Sequence, residues 1–275
     1  MSWDPGHFDP TPPVAAEPTP PPRPHWLRRL LGPVAGAGLL AWKLAAPLLI
    51  AIKNIKFLGL GLSFAASVAA YSLFWGWRFA LGVVLLIFVH EMGHVFQLRH
   101  EGVPATAPLF IPFLGAVVGM KELPKNAWVE AKVGLAGPIL GSIGAAACFL
   151  LGVEMNSEML RAIAYLGFLI NLFNLIPVVP LDGGRAAAAL HPAFWVVGLV
   201  ALVGRFIWRP NPLLIIVAVI AVYELYRRWQ QRKTPESVAY HTIPWSQRFT
   251  VAAVYLTLIA LLVVAVDLSH VTRPT

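Results

Sequence analysis

The chain has 275 residues, 58% of them hydrophobic and only 12% charged, with a net charge of +8. A soluble domain carries about 25% charged residues, so this composition and a mean hydropathy of +0.70 exclude an ordinary water-soluble globule and predict an integral membrane protein. The basic residues gather beside apolar segments, as topology signals and lipid-headgroup contacts do. That pattern points to the lipid bilayer as a partner and away from nucleic acid. A single cysteine, Cys148, excludes a disulfide framework. No basic stretch followed by a short apolar one marks a cleavable signal peptide.

Residues 1–24 contain nine prolines and no apolar periodicity, which predicts an extended, disordered tail. Residues 25–56 are apolar but repeatedly interrupted, by Arg28, Arg29, Lys43, Lys53 and Lys56. They predict an amphipathic juxtamembrane region whose lysines snorkel toward headgroups. Residues 57–74 form the first uncharged stretch long enough to approach the roughly 20 residues that cross a bilayer. Trp75 and Trp77 follow at the expected interface.

The second span, 79–98, carries His90-Glu91-Met92-Gly93-His94. A charged side chain at mid-bilayer costs about 2.5–3.5 kcal/mol even on lenient scales, so three ionisable groups persist there only if they face the protein interior. Residues four apart share a helix face. His90 and His94 therefore aim two ring nitrogens at one point, and Glu91 flanks them. This is the H-E-x-x-H arrangement of two zinc ligands and a general base.

Residues 102–120 are apolar, yet Pro104, Pro108 and Pro112 forbid a continuous helix. Two short strands, 109–114 and 116–120, are expected around Gly115. Irregular backbone at membrane depth has to be buried in protein or line a wet cavity. The third span, 133–153, opens with small residues including Gly134, Gly137 and Gly141, which read as close helix packing. The fourth, 162–179, ends in Pro177 and Pro180, followed at once by Asp182. Asp182 is the candidate third ligand, since Asp oxygen joins two histidines at zinc and leaves a fourth position open. Asn174 is the candidate substrate-binding residue, able to donate to a substrate carbonyl, while Asn171 reads as interhelical contact. Spans 193–207 and 213–226 follow, then the basic cluster Arg227, Arg228, Arg232 and Lys233, and a last span at 250–266. The remaining histidines read as solvated or interfacial.

The expected fold is thus all-α polytopic, with about six to seven transmembrane helices and a short re-entrant β-hairpin. The expected parts are the tail (1–24), the juxtamembrane region (25–56), a catalytic membrane domain (57–232) and a C-terminal loop with the last transmembrane helix (233–275). The basic flanks place the protein in the cell membrane as a multi-pass protein, with its active site toward the cytoplasmic side.

Three ordered motifs, His90-Glu91-Met92-Gly93-His94, Gly137-Pro138 and Asn174-x-x-Pro177-x-x-x-Leu181-Asp182-Gly183, resemble the site-2 family of intramembrane zinc metalloproteases. The likeness runs from about residue 57 to 185. It implies one zinc per chain held by His90, His94 and Asp182, water activation by Glu91, and substrate contact by Asn174. It also implies a transmembrane protein as substrate, leaving substrate identity and oligomeric state unspecified. No PDZ or CBS module is expected within this length. Two other readings remain. An integral-membrane zincin of the CaaX-processing type needs a glutamate third ligand, for which Glu224 lacks matching neighbours. A catalytically inert binding or regulatory membrane protein of the same fold would keep the motifs without using them.

Overall fold

Among the described residues, the helix that carries both histidines has the most buried apolar window of the three helices long enough to cross a membrane. The computed structural model describes residues 56–120, 124–191, 193–208, 212–231 and 233–270. By its contacts the chain divides into two units, Met1–Ala51 and Ile52–Thr275, and every described residue lies in the second. The tail at 1–24 and nearly all of the juxtamembrane region at 25–56 fall outside the described residues.

Helices α1 (Lys56–Trp75) and α2 (Trp77–His100) are followed by a two-stranded antiparallel hairpin, β1 (Leu109–Ile111) and β2 (Gly115–Val117). Then come α3 (Ala127–Glu154), α4 (Glu158–Asn174), α5 (Asp182–Leu190), α6 (Ala193–Trp208), α7 (Pro212–Gln231), α8 (Pro235–His241) and α9 (Trp245–Ser269). The protein is mostly helical. Among the described residues α2, α3 and α9 are long and apolar enough to cross a membrane. The apolar part of α1, Gly59–Trp75, and α6 are shorter. Of the apolar window in α2, 56% is buried inside the protein, against 22% in α9. This is how His90, Glu91 and His94 are kept away from lipid.

Small residues bring α2 against its neighbours. A Cβ at Gly93 would strike the Ala136 carbonyl on α3, and one at Gly144 would lie 3.0 Å from Val89. Beyond this contact, Leu135 and Ala145 of α3, Ile163 and Phe168 of α4, Ala186 and Ala189 of α5, and Val251, Tyr255 and Leu258 of α9 form one buried apolar cluster. Tyr255 donates from its hydroxyl to the Leu175 carbonyl at the end of α4.

Several boundaries differ from expectation, two of them for a clear local reason. The fourth span stops at Asn174, because Pro177 lacks the N–H that would continue the helix and its ring crowds the preceding turn. The third begins at Ala127, where the Asn126 side chain accepts from the Val129 N–H at 3.0 Å and satisfies one of the exposed amides of the first turn. Residues 127–132, which precede the expected third span, thus belong to α3.

The chain then re-enters as α5, a nine-residue helix starting at Asp182. Its two glycines explain how it fits. A Cβ at Gly183 would strike the Leu175 carbonyl, and one at Gly184 the peptide between Val178 and Val179. At the far end of α5, Arg248 of α9 donates to the Ala189 and Leu190 carbonyls at 2.8 and 2.7 Å. A cation on unsatisfied carbonyls at a helix C-terminus is favourable, and here it fixes the helix that presents Asp182.

The hairpin forms where expected, with shorter strands. Leu109 pairs with Val117 and Ile111 with Gly115, and an isolated bridge joins Ala105 to Met120. Phe110 is buried against Phe64 and Phe88, and its N–H donates to Ser63 Oγ of α1 at 3.3 Å. The outer side of β1 is therefore held by α1. No third strand pairs with β2 among the described residues.

Candidate metal centre

His90 and His94 lie one turn apart on α2 and are both buried, at 4% and 5% exposure. His90 Nε2 stands 3.0 Å from Asp182 Oδ2, His94 Nε2 3.3 Å from Asp182 Oδ1, and the two Nε2 atoms are 3.2 Å apart. Ligands around a tetrahedral zinc, with bonds of about 2.0–2.1 Å, stand roughly 3.3 Å from one another. Among the described residues these three are the group of His, Cys, Asp and Glu side chains whose ligand atoms all lie within 4.8 Å of one another.

The other ring nitrogens are each held from behind. His90 Nδ1 lies 2.8 Å from Asn171 Oδ1, and Asn171 Nδ2 donates to the Gly167 carbonyl at 2.8 Å, which fixes the oxygen toward the imidazole. His94 Nδ1 lies 2.8 Å from the Val133 carbonyl. Both far-side partners are acceptors, so each Nδ1 carries the proton and each Nε2 presents a lone pair. Two such lone pairs and a carboxylate converging in a buried place repel one another unless a cation sits among them. Imidazoles steered from behind by an amide and a peptide carbonyl are the arrangement that orients metal ligands. The donor set, two nitrogens and one oxygen with a position to spare, fits zinc.

Gly137 completes the cradle. A Cβ at this position would run into the His94 ring and lie 2.9 Å from His90 Nε2. One turn on, a Cβ at Gly141 would strike Asn171 Oδ1. These small residues read as packing in the sequence. In the structure they also leave room for the imidazoles and for the amide behind them.

Glu91 is buried and lies outside the three-residue cluster, lining the same cleft. The cleft has a volume of about 1970 Å³ and is also lined by Asn174, by the hairpin from Ile111 to Val118, and by residues of α5, α7 and α8. Asn174 is half-buried at its wall. The structure thus brings together Glu91, His90, His94, Asp182 and Asn174 in one cleft, and it adds Asn171, which the sequence reading gave to interhelical contact. The available signal was the placement of Asn171 deep in an apolar span, where a polar side chain needs a partner. Asn171→Ala is expected to weaken zinc affinity by about 10- to 100-fold while leaving all three ligands in place. Competition titration against a zinc chelator checks it.

Glu224 is engaged elsewhere. It accepts from Arg227 at 2.7 Å and from Arg228 at 3.0 Å. Arg228 also reaches the buried Glu130 at 3.4 Å, and Tyr240 donates to Glu130 at 2.9 Å. Burial, then the nearby Glu130 carboxylate, push the Tyr240 phenol well above the usual tyrosine range, so it stays protonated as a donor. This network ties α3, α7 and α8 together across the cleft and leaves Glu224 no part as a third ligand.

Residues 78–158 match the model of peptidase family M50, which bears out the likeness to site-2 metalloproteases over the segment holding His90, Glu91, His94 and Gly137. Among curated proteins the chain is similar to zinc metalloprotease MJ0392 of Methanocaldococcus jannaschii, 31% identical over 129 residues, 45% of this chain and 37% of that protein. It is similar to the putative zinc metalloprotease Rip3 of Mycobacterium tuberculosis, 32% identical over 121 residues, 39% of this chain and 30% of that one. It is also similar to the probable zinc metalloprotease EGY2, chloroplastic, of Oryza sativa, 26% identical over 155 residues, 40% of this chain and 28% of that one. The matched regions thus span about a third of the length of these relatives. Family and relatives together support a metalloprotease associated with membranes.

Proposed function

We propose that the protein is an intramembrane zinc metalloprotease of the site-2 type, hydrolysing peptide bonds in or near transmembrane segments of membrane-protein substrates. The observation that carries this reading is the convergence of His90, His94 and Asp182 within 4.8 Å in a cleft that Glu91 also lines. His90, His94 and Asp182 would hold one zinc per chain. Bound there, zinc supplies Lewis acidity, which polarises a carbonyl and brings the pKa of water from 15.7 toward about 7.

The chain's own groups supply the rest. Glu91 takes the proton from the attacking water and returns it to the leaving amine. The unpaired side of β2 receives an unwound substrate segment by strand addition, whose main-chain bonds replace those of the substrate helix. Asn174 donates to the carbonyl oxygen as it gains charge. The proposed setting is a multi-pass protein of the cell membrane crossing about six to seven times, with the site toward the cytoplasmic side by the positive-inside rule. Cysteine labelling at Ser237 in intact cells should fail from outside; labelling there would reverse the orientation.

The test of the activity is reconstitution with synthetic single-span peptides in liposomes, with products read by mass. Cleavage inside or beside the span, abolished by a zinc chelator and restored by added zinc, is expected. Cleavage that survives chelation, or none on any peptide, would remove the reading.

A further inference from the structure

Among the described residues the cleft has four arginines on its wall, and three of them are engaged by carboxylates or main-chain carbonyls. Arg227 and Arg228 pair with Glu224, and Arg228 also with Glu130. Arg248 is spent on the carbonyls of Ala189, Leu190 and His241. Arg185 differs. It lies one turn after Asp182 on α5, with its stem against Gly134 of α3, whose Cβ, if present, would lie 2.7 Å from Arg185 Cβ. Among the described residues its guanidinium makes one hydrogen bond, from Nη2 to the Met120 sulfur at 3.4 Å. A guanidinium has five N–H donors in a planar fork, and a thioether is a weak acceptor. It lines the cleft together with Glu91 and Tyr240.

Met120 lies just past β2, in the bridge to Ala105. A substrate strand laid along β2 therefore passes the Arg185 head. Three residues along a helix advance about 4.5 Å, and a strand advances about 3.3 Å per residue, so a group held by Arg185 sits a few residues from the bond at the centre. Main-chain carbonyls of the substrate already have the N–H groups of β2. What matches a free planar fork is a carboxylate, taken by two parallel hydrogen bonds.

Resting on the protease reading, we propose that Arg185 is a specificity-determining residue that receives an aspartate or glutamate side chain of the substrate close to the bond cut. It sets where along a transmembrane segment the substrate is held. Spans with an acidic residue near the site are preferred, and those with the matching amide are not.

The experiment uses full-length protein in liposomes and synthetic single-span peptides carrying one Asp or one Asn at successive positions. Binding is measured on the Glu91→Gln protein, which holds peptide without cutting it, and repeated with Arg185→Gln and Arg185→Lys added. The best Asp peptide is expected to bind about tenfold more tightly than its Asn counterpart, as charge-assisted hydrogen bonds exceed neutral ones. The ratio should fall to about one with Arg185→Gln and recover partly with Arg185→Lys. A purely structural role would weaken both peptides alike and keep the ratio. Zinc content of each variant reports folding, Arg185→Lys offers a second variant if Arg185→Gln misfolds, and the absence of any Asp preference on the Arg185-containing protein overturns the assignment without either. Equal binding of Asp and Asn peptides at every position, or a ratio unchanged by Arg185→Gln, overturns the assignment. Failure of the Glu91-containing protein to cut any peptide that is bound removes the protease reading separately.

Discussion

Glu91→Gln protein is expected to retain zinc and substrate and to lose peptide cleavage by about 10²–10⁴ in rate, the usual worth of a general base. The expectation follows from where Glu91 lies. It lines the cleft, while His90, His94 and Asp182 form the ligand cluster without it. Glutamine keeps the size and an acceptor oxygen, so the packing of this buried side chain survives. It accepts no proton, so water stays a poor nucleophile. Zinc content and cleavage measured on the same samples separate the roles. Loss of zinc in this variant would make Glu91 structural, and undiminished cleavage would end its assignment as the base.

Gly137→Ala is expected to abolish zinc binding, and with it cleavage, although no ligand is removed. The added methyl would occupy the space of the His94 ring and stand 2.9 Å from His90 Nε2. Neither imidazole can withdraw easily. His94 Nδ1 is tied to the Val133 carbonyl and His90 Nδ1 to Asn171, both at 2.8 Å. Moving α3 away would give up the close packing of Gly93 of α2 against the Ala136 carbonyl one residue away. Gly61, whose Cβ would meet nothing within 4 Å, serves as the control, and Gly61→Ala should keep full zinc. Full zinc in Gly137→Ala would mean that α2 and α3 part more readily than this packing implies.

The parts of the site that the sequence disclosed were those that break the rule of their surroundings. His90, Glu91 and His94 stand out because an apolar span excludes ionisable groups without a purpose. Asp182 stands out after Pro177 and Pro180, and the hairpin because Pro104, Pro108 and Pro112 forbid a helix. What stayed hidden depends on which helices meet. Asn171 and Asn174 are one turn apart, and only the position of α2 shows that Asn171 steers His90. Gly137 reads as a packing residue until the imidazoles are seen against it. The reach of Arg248 to the end of α5, and of Arg228 and Tyr240 to Glu130, joins residues 58 to 110 positions apart, for which helical periodicity offers no signal. The short helix α5 escaped because glycines in its first turn disguise it.

Every role proposed for these residues depends on a zinc held by His90, His94 and Asp182, and the metal content of purified protein tests that most directly. Wild type should carry one zinc per chain and a His94→Ala, Asp182→Ala double variant none, with both proteins equally well folded. Equal zinc in the two would contradict it.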